Sequence, residues 1–168
     1  MRRYAVCQNG GILKPQIMDS LFHFNPGYSI SGNHPKYLLI DSDAKQRDSF
    51  QAALIRSQAS FTVMVAGDVT EAIKIIRVYK YRPTMILLSA NTGTVSCTQS
   101  VAKLNQLDEL SPVPIVVYGH ECNDEQTTSL NQLGASYFRK SEKMDQFTTD
   151  LHQLLLHYSI AAAQHFRG

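Results

Sequence analysis

The stretch Tyr37-Leu-Leu-Ile-Asp-Ser-Asp43, with the residues that follow it to Ser57, decides the fold. Four apolar residues are too few for a helix, and Asp41 closes the run. Asp43 stands where a short carboxylate can cap a helix, and behind it Phe50, Ala53, Leu54 and Ser57 recur at helical spacing. A strand followed by a helix is the result, and the chain repeats it. Phe61 to Val65 predicts a second strand, and Asp68 or Thr70 opens a helix carrying Ala72, Ile73, Ile76 and Tyr79 on one face. Met85 to Leu88 predicts a third strand, followed by a loop through Asn91 and Gly93 and a helix with Val101, Leu104 and Leu107. Pro114 opens the fourth strand, Ile115 to Tyr118. Asn123 or Asp124 then opens a helix that ends before Gly134, whose position suits a left-handed C-cap. Ser136 to Arg139 completes the strands and Lys143 to Tyr158 the helices.

Five strands alternating with five helices predict a doubly wound α/β fold, a parallel sheet with helices on both faces. The near-continuous apolar strands suit burial on both sides. In such sheets ligands collect outside the carboxyl ends of the strands, where the strand order reverses. That rule gathers Asp41 to Asp43, Ser89 to Gly93, Gly119, His120 and Lys140 into one candidate site.

With 168 residues, 43% hydrophobic and 18% charged, the chain has matter for one domain with an appendage and too little charge for a disordered chain. Sixteen Lys and Arg against fourteen Asp and Glu leave +2, without basic blocks. Charge therefore gives no footprint for nucleic acid or an anionic membrane. Cys7, Cys97 and Cys122 are odd in number, widely spaced and without a CxxC pair, which argues against a disulfide framework and a structural zinc site. Neither a signal-peptide core nor a run of about 18 apolar residues occurs, so a cytoplasmic protein is expected.

Residues 1–35 contain Gly10, Gly11, Gly27, Gly32, Pro15, Pro26 and Pro35. Such density of breakers forbids a long helix or central strand. The segment reads as an irregular extension in which only Ile12-Leu13 and Gln16 to Phe24 could hold short order. Residues 36–160 form the predicted domain, and 161–168 continue the last helix or form a tail. Leu151, Leu155, Tyr158, Ala162 and Phe166 make one apolar stripe along that helix, either a fraying end or a contact for a partner.

Over about residues 36 to 160 the chain resembles the CheY-like receiver domain of two-component response regulators. Leu38-Leu-Ile-Asp-Ser-Asp43 resembles the family's first strand and acidic pair. Arg82-Pro-Thr-Met-Ile-Leu-Leu-Ser-Ala-Asn-Thr-Gly93 resembles its third strand, acceptor and following loop. Pro112-Val-Pro-Ile-Val-Val-Tyr118 and Leu133-Gly-Ala-Ser-Tyr-Phe-Arg-Lys140 resemble its fourth and fifth strands. The resemblance implies a flavodoxin-like sheet of strand order 2-1-3-4-5. It also implies an aspartate that accepts a phosphoryl group from a histidine kinase, beside magnesium held by that aspartate and two further acidic residues.

This chain departs from that pattern at the positions that matter. Ser89 replaces the acceptor, the acidic pair is reduced to Asp41 and Ser42, and Gly119 stands where the family has a hydroxyl residue. Lys140 is kept, and Tyr137 stands at the switch aromatic. A serine hydroxyl needs a base before it attacks, unlike a carboxylate. Loss of two carboxylates removes most of what holds magnesium; Asp41 and Asp43 are the remaining candidate ligands, and Asp43 reads equally as the helix cap. Lys140 is expected to pair with Asp41. No cofactor is expected, magnesium included.

The resulting expectation is a degenerate receiver, not an enzyme, acting in signal transduction as a phosphorylation-independent protein-interaction module. Its partner would be a histidine kinase, another regulator or a second copy, met through the fourth helix, fifth strand and fifth helix. One alternative is a phosphorelay role kept through a non-standard site. Another is a hydrolase using Ser89, His120 and Asp41, although Leu88-Ser-Ala-Asn91 lacks the flanking glycines of a nucleophile elbow. His120, His152, His157 and His165 read as surface residues. Tyr118 and Phe138 read as core.

Overall fold

The computed structural model describes residues 5–6, 12–13, 35–57, 61–91, 95–121 and 123–165. Two short strands, β1 (Ala5–Val6) and β2 (Ile12–Leu13), pair antiparallel. The main sheet consists of β3 (Lys36–Ile40), β4 (Thr62–Ala66), β5 (Met85–Ser89), β6 (Ile115–Gly119) and β7 (Ala135–Arg139), all parallel, in the order β4-β3-β5-β6-β7. Counted within this sheet the order is 2-1-3-4-5, as the resemblance implied. The reversal falls between β3 and β5, and the carboxyl ends of those strands with β6 and β7 frame the candidate site.

Helices α1 (Ala44–Ser57) and α5 (Met144–His165) cover one face. Phe50, Ala53 and Leu54 of α1 pack with Phe147, Leu151 and Leu155 of α5 against Leu39, Leu87, Val116 and Tyr118. Helices α2 (Val69–Arg77), α3 (Cys97–Asn105) and α4 (Asp124–Gln132) cover the other, where Ile75, Ile76, Val101, Leu104 and Leu130 meet Leu38, Ile40, Ile86, Leu88 and Val117. Alternate residues of each strand thus serve opposite cores, which is why the strands read as unbroken apolar runs.

The caps follow the sequence closely. Asp43 accepts from the backbone N–H of Lys45 at 2.8 Å and of Gln46 at 3.3 Å, which makes it the cap of α1. Asp68, Ser96 and Asn123 cap α2, α3 and α4 in the same way. Gly134, at φ 75°, turns the chain out of α4 in the left-handed region.

Several boundaries move. β4 begins and ends one residue later than Phe61 to Val65, because Val63 and Val65 face one core while Ala66 is buried at the strand end. Helix α2 stops at Arg77; Tyr79, beyond its end, still packs partly buried against the core on that side, and Ile75, not expected there, is buried in it. The Arg82 guanidinium donates to the Ile76 carbonyl at 3.0 Å, satisfying an end group of the shortened helix. Leu107 is buried beyond the end of α3, just ahead of a 3₁₀ turn at Asp108–Leu110. Gln16 to Phe24, Gly93, Phe166, Cys7 and Cys122 lie outside the described residues; Cys97 is buried. Among the described residues no helix is long and apolar enough to cross a membrane.

Candidate functional site

Four strand ends converge on one small cleft. Asp41 follows β3, Ser89 ends β5, Gly119 ends β6 and Lys140 follows β7; Asp43, Gln46, Asn91, Tyr118 and His120 complete the lining of about 100 Å³. Of the sequence-selected residues, Asp41, Asp43, Ser89, Asn91, Gly119, His120 and Lys140 are therefore brought together; residues 92 and 93 lie outside the described residues, and neither Ala90 nor the outward-turned Ser42 lines the cleft. Its hydroxyl donates to the Asn91 carbonyl at 3.3 Å, tying the loop after β3 to the loop after β5. A second cleft of about 210 Å³ adjoins the first through Gln46, His120 and Lys140 and extends to Ser49, Ser141, Glu142, Met144 and Phe147.

Asp41 is 1% exposed, and a buried carboxylate must have its lone pairs met. Tyr118 donates its hydroxyl to Asp41 Oδ2 at 2.6 Å, and the Asp43 backbone N–H donates to Oδ1 at 2.9 Å. Pairing Ser89 with Tyr118 across β5 and β6 sets this up, since register partners point to the same face of the sheet. Burial pushes the Tyr118 phenol well above its ordinary pKa. The negative charge of Asp41 and the bond to it push the same way, while a hydrogen bond with Ser89 and the charge of Arg47 oppose. Tyr118 thus stays a proton donor. The Ser89 hydroxyl, itself buried, also accepts from the Asn91 N–H at 3.2 Å.

The expected pairing of Lys140 with Asp41 does not occur. Among the described residues the two do not approach within ion-pair distance; the Lys140 ammonium instead donates to Gln46 Oε1 and lies 5.0 Å from the centre of the Phe147 ring. Tyr118 has taken the position on Asp41 that the expectation gave to the ammonium. Burial lowers the Lys140 pKa, and the carboxylates of Asp41 and Asp43 act against that at longer range. Arg47 comes close to Asp41 by a different route, donating to its backbone carbonyl at 2.7 Å.

At the far side of Gly119 lies Tyr137, which pairs with Val117 in the sheet. Its hydroxyl donates to the Glu121 carbonyl at 2.9 Å. A Cβ placed on Gly119 would stand 2.7 Å from that hydroxyl oxygen and 3.0 Å from the Ala90 Cβ. The phenol thus fills the volume that any side chain at 119 would claim.

The hydrolase arrangement is not assembled. His120 Nδ1 faces the Lys140 carbonyl at 3.1 Å, Asp41 is engaged by Tyr118, and Ser89 is bonded to neighbouring backbone and phenol. His152 bridges helices, with Nδ1 2.7 Å from the Ser57 carbonyl, and the His157 ring stands edge-on to Tyr158. Sequence reasoning missed Tyr118, Gln46 and Arg47 as site residues. Their signal was positional only: Tyr118 stands at the carboxyl end of its strand, and Gln46 and Arg47 lie in the first turn of α1.

No family model and no curated protein sequence matches the chain. Solved structures do match. The phosphorylated cyanobacterial phytochrome response regulator RcpA superposes with a TM-score of 0.65 at 23% identity, covering 72% of this chain and 91% of that one. Chemotaxis protein CheY4 of Vibrio cholerae gives 0.63 at 19%, covering 74% and 98%, and the Mn²⁺-bound form of response regulator Rcp1 gives 0.62 at 20%, covering 71% and 91%. These structural neighbours are response-regulator receiver domains, and what the chain shares with them is the CheY-like, flavodoxin-like α/β fold.

One of those neighbours carries a divalent cation, and the residues here do not fit one. Such an ion needs several free oxygen ligands in one place. Both Asp41 oxygens are engaged, Asp43 Oδ1 receives two helix N–H groups, and Ser89 offers a neutral hydroxyl. Lys140 and Arg47 add positive charge at the same spot. No group of three or more His, Cys, Asp or Glu capable of holding a metal occurs among the described residues.

Proposed function

We propose that this chain is a degenerate receiver, with residues 36–160 as its working unit. It acts in cytoplasmic signal transduction as a protein-interaction module whose binding face does not depend on phosphorylation. The observation that carries the reading is the Tyr137 phenol lodged against Gly119 and bonded to the Glu121 carbonyl. In a phosphorylation-driven switch, the residue at 119 moves toward the phosphoryl group and the aromatic follows. Here there is no side chain at 119 to move, and the aromatic already sits inward. A ligand can shift such an equilibrium only by binding two states differently, and one of the two states has lost its trigger.

Ser89 supports the same reading from the chemical side. Its hydroxyl has no adjacent base: His120 is turned to the Lys140 carbonyl, and Asp41 is held by Tyr118. The partner face comprises exposed residues of α4, β7 and the stretch from Lys143 to Tyr158 that includes most of α5, centred on Tyr137, and its partner is a histidine kinase, another regulator or a second copy of this chain. The test measures partner affinity, or self-association, for wild type and Tyr137→Ala with and without acetyl phosphate. Donor-independent binding that weakens by more than about 1 kcal/mol in the variant is expected for an anchor residue. Donor-dependent binding, or unchanged binding in a folded variant, rejects the reading.

A further inference from the structure

We infer that the Tyr118 hydroxyl is the resident occupant of the cation position, and that this one O–H group, more than the missing acceptor carboxylate, closes the pocket to divalent ions. A buried carboxylate demands a donor or a cation, and Asp41 has its donor built into the neighbouring strand. The phenol is 2% exposed, so it does not exchange this bond for water at the surface. Its oxygen is 2.6 Å from Asp41 Oδ2, a charge-assisted geometry. The ring that carries it is fixed from below, with the Phe50 ring centre 4.5 Å away and the Phe147 ring edge-on to Phe50 at 5.2 Å in turn. For a cation to reach Oδ2, the phenol must leave both the carboxylate and this aromatic cluster.

The inference separates two causes that the sequence presents together. Ser89 removes a ligand; Tyr118 occupies the ligand that remains. If the serine alone closed the pocket, restoring a carboxylate at 89 would reopen it. If the phenol closes it, restoring that carboxylate achieves nothing until the hydroxyl is removed. The inference stands apart from the proposed partner face, which can fail while the phenol still blocks the ion.

The experiment titrates Mn²⁺ into the ¹⁵N-labelled full chain and maps paramagnetic broadening for wild type, Ser89→Asp, Tyr118→Phe and the double variant. Wild type and Ser89→Asp are expected to show no saturable broadening centred on residues 41, 89 and 119 at millimolar Mn²⁺. The double variant is expected to bind there at least about tenfold more tightly than Ser89→Asp, the scale on which groups around a metal alter affinity. Saturable binding at this pocket in wild type or in Ser89→Asp overturns the inference, as does a folded double variant no tighter than Ser89→Asp. Should the variants lacking the hydroxyl fail to fold, Ser42→Asp/Ser89→Asp, which restores both lost carboxylates with the phenol in place, decides: silence supports the blocking phenol, and binding refutes it.

Discussion

Gly119→Ala tests whether the Tyr137 phenol occupies the space next to residue 119. The added Cβ would lie 2.7 Å from Tyr137 Oη, well inside contact, and 3.0 Å from Ala90 Cβ. Gly119 does not use a positive φ, so the backbone itself tolerates alanine. The cost is therefore steric. Displacing the phenol forfeits its bond to Glu121, about 1 kcal/mol, and crowding against Ala90 adds roughly 1 to 2 kcal/mol. Loss of glycine's freedom in the unfolded chain returns about 0.5 kcal/mol. The net destabilisation is about 2 kcal/mol. The same substitution in a Tyr137→Phe background removes the oxygen, leaving Cζ at an ordinary 3.7 Å from the new carbon while the Ala90 contact stays tight. Gly119→Ala should then cost about 1 kcal/mol less, a coupling that a double-mutant cycle resolves. Urea unfolding of the four proteins, followed by circular dichroism, gives the four stabilities. Additive costs, with coupling under about 0.3 kcal/mol, would mean that the phenol is not where the reasoning needs it.

Tyr118→Phe should lose about 2 kcal/mol at neutral pH, since it leaves a buried carboxylate short of a donor. The folded-state pKa of Tyr118 is raised above its unfolded value of 10.0. Its contribution is thus fully present below pH 10 and is lost as pH rises further; the Phe variant should show a shallower alkaline loss in unfolding titrations. Lys140→Met, which keeps a flexible chain over Phe147, should be as stable as wild type at pH 7 or up to about 1 kcal/mol more stable. Because the folded pKa of Lys140 lies below its unfolded 10.5, wild type binds fewer protons folded than unfolded between the two values. Wild-type stability therefore gains on the Met variant as pH rises through that window, and paired urea titrations at neutral and alkaline pH check the sign. Gly134→Ala should cost about 1 kcal/mol from the left-handed φ of 75° alone, since nothing lies within 4 Å of the new carbon. A melting-temperature comparison with Gly134→Asn, which tolerates that region better, is the control.

The sheet was legible because the strands are short and, apart from β7 with its exposed Ser136 and Arg139, run as nearly unbroken apolar stretches that serve both cores. Asp43 was legible as a cap because capping depends on neighbours two and three residues away. The site was legible only as a set of positions. Lys140 and Asp41 were expected to meet because opposite charges were counted and neutral donors were not. The Tyr118 phenol lies 77 residues from Asp41 in sequence, and nothing local separates a tyrosine that packs from one that packs and also donates. Tyr79 was assigned to the helix, and Ile75 was passed over, because helical spacing gives a face but not its full width or the residue at which the helix stops.

That 77-residue separation also orders events in time. Strands β3, β4 and β5 can assemble from the first part of the domain, but the Asp41 carboxylate has no side-chain donor until β6 docks beside β5. A charge cannot be withdrawn from water before its partner arrives, so the tip of β3 must stay hydrated through the early stages. The phenol–carboxylate bond belongs to the late, native side of the folding barrier, as contacts that close long loops usually do. Removing the hydroxyl should accordingly speed unfolding and leave the refolding rate nearly unchanged in stopped-flow measurements. The hydroxyl would then act kinetically, as a lock set once the chain has found its fold.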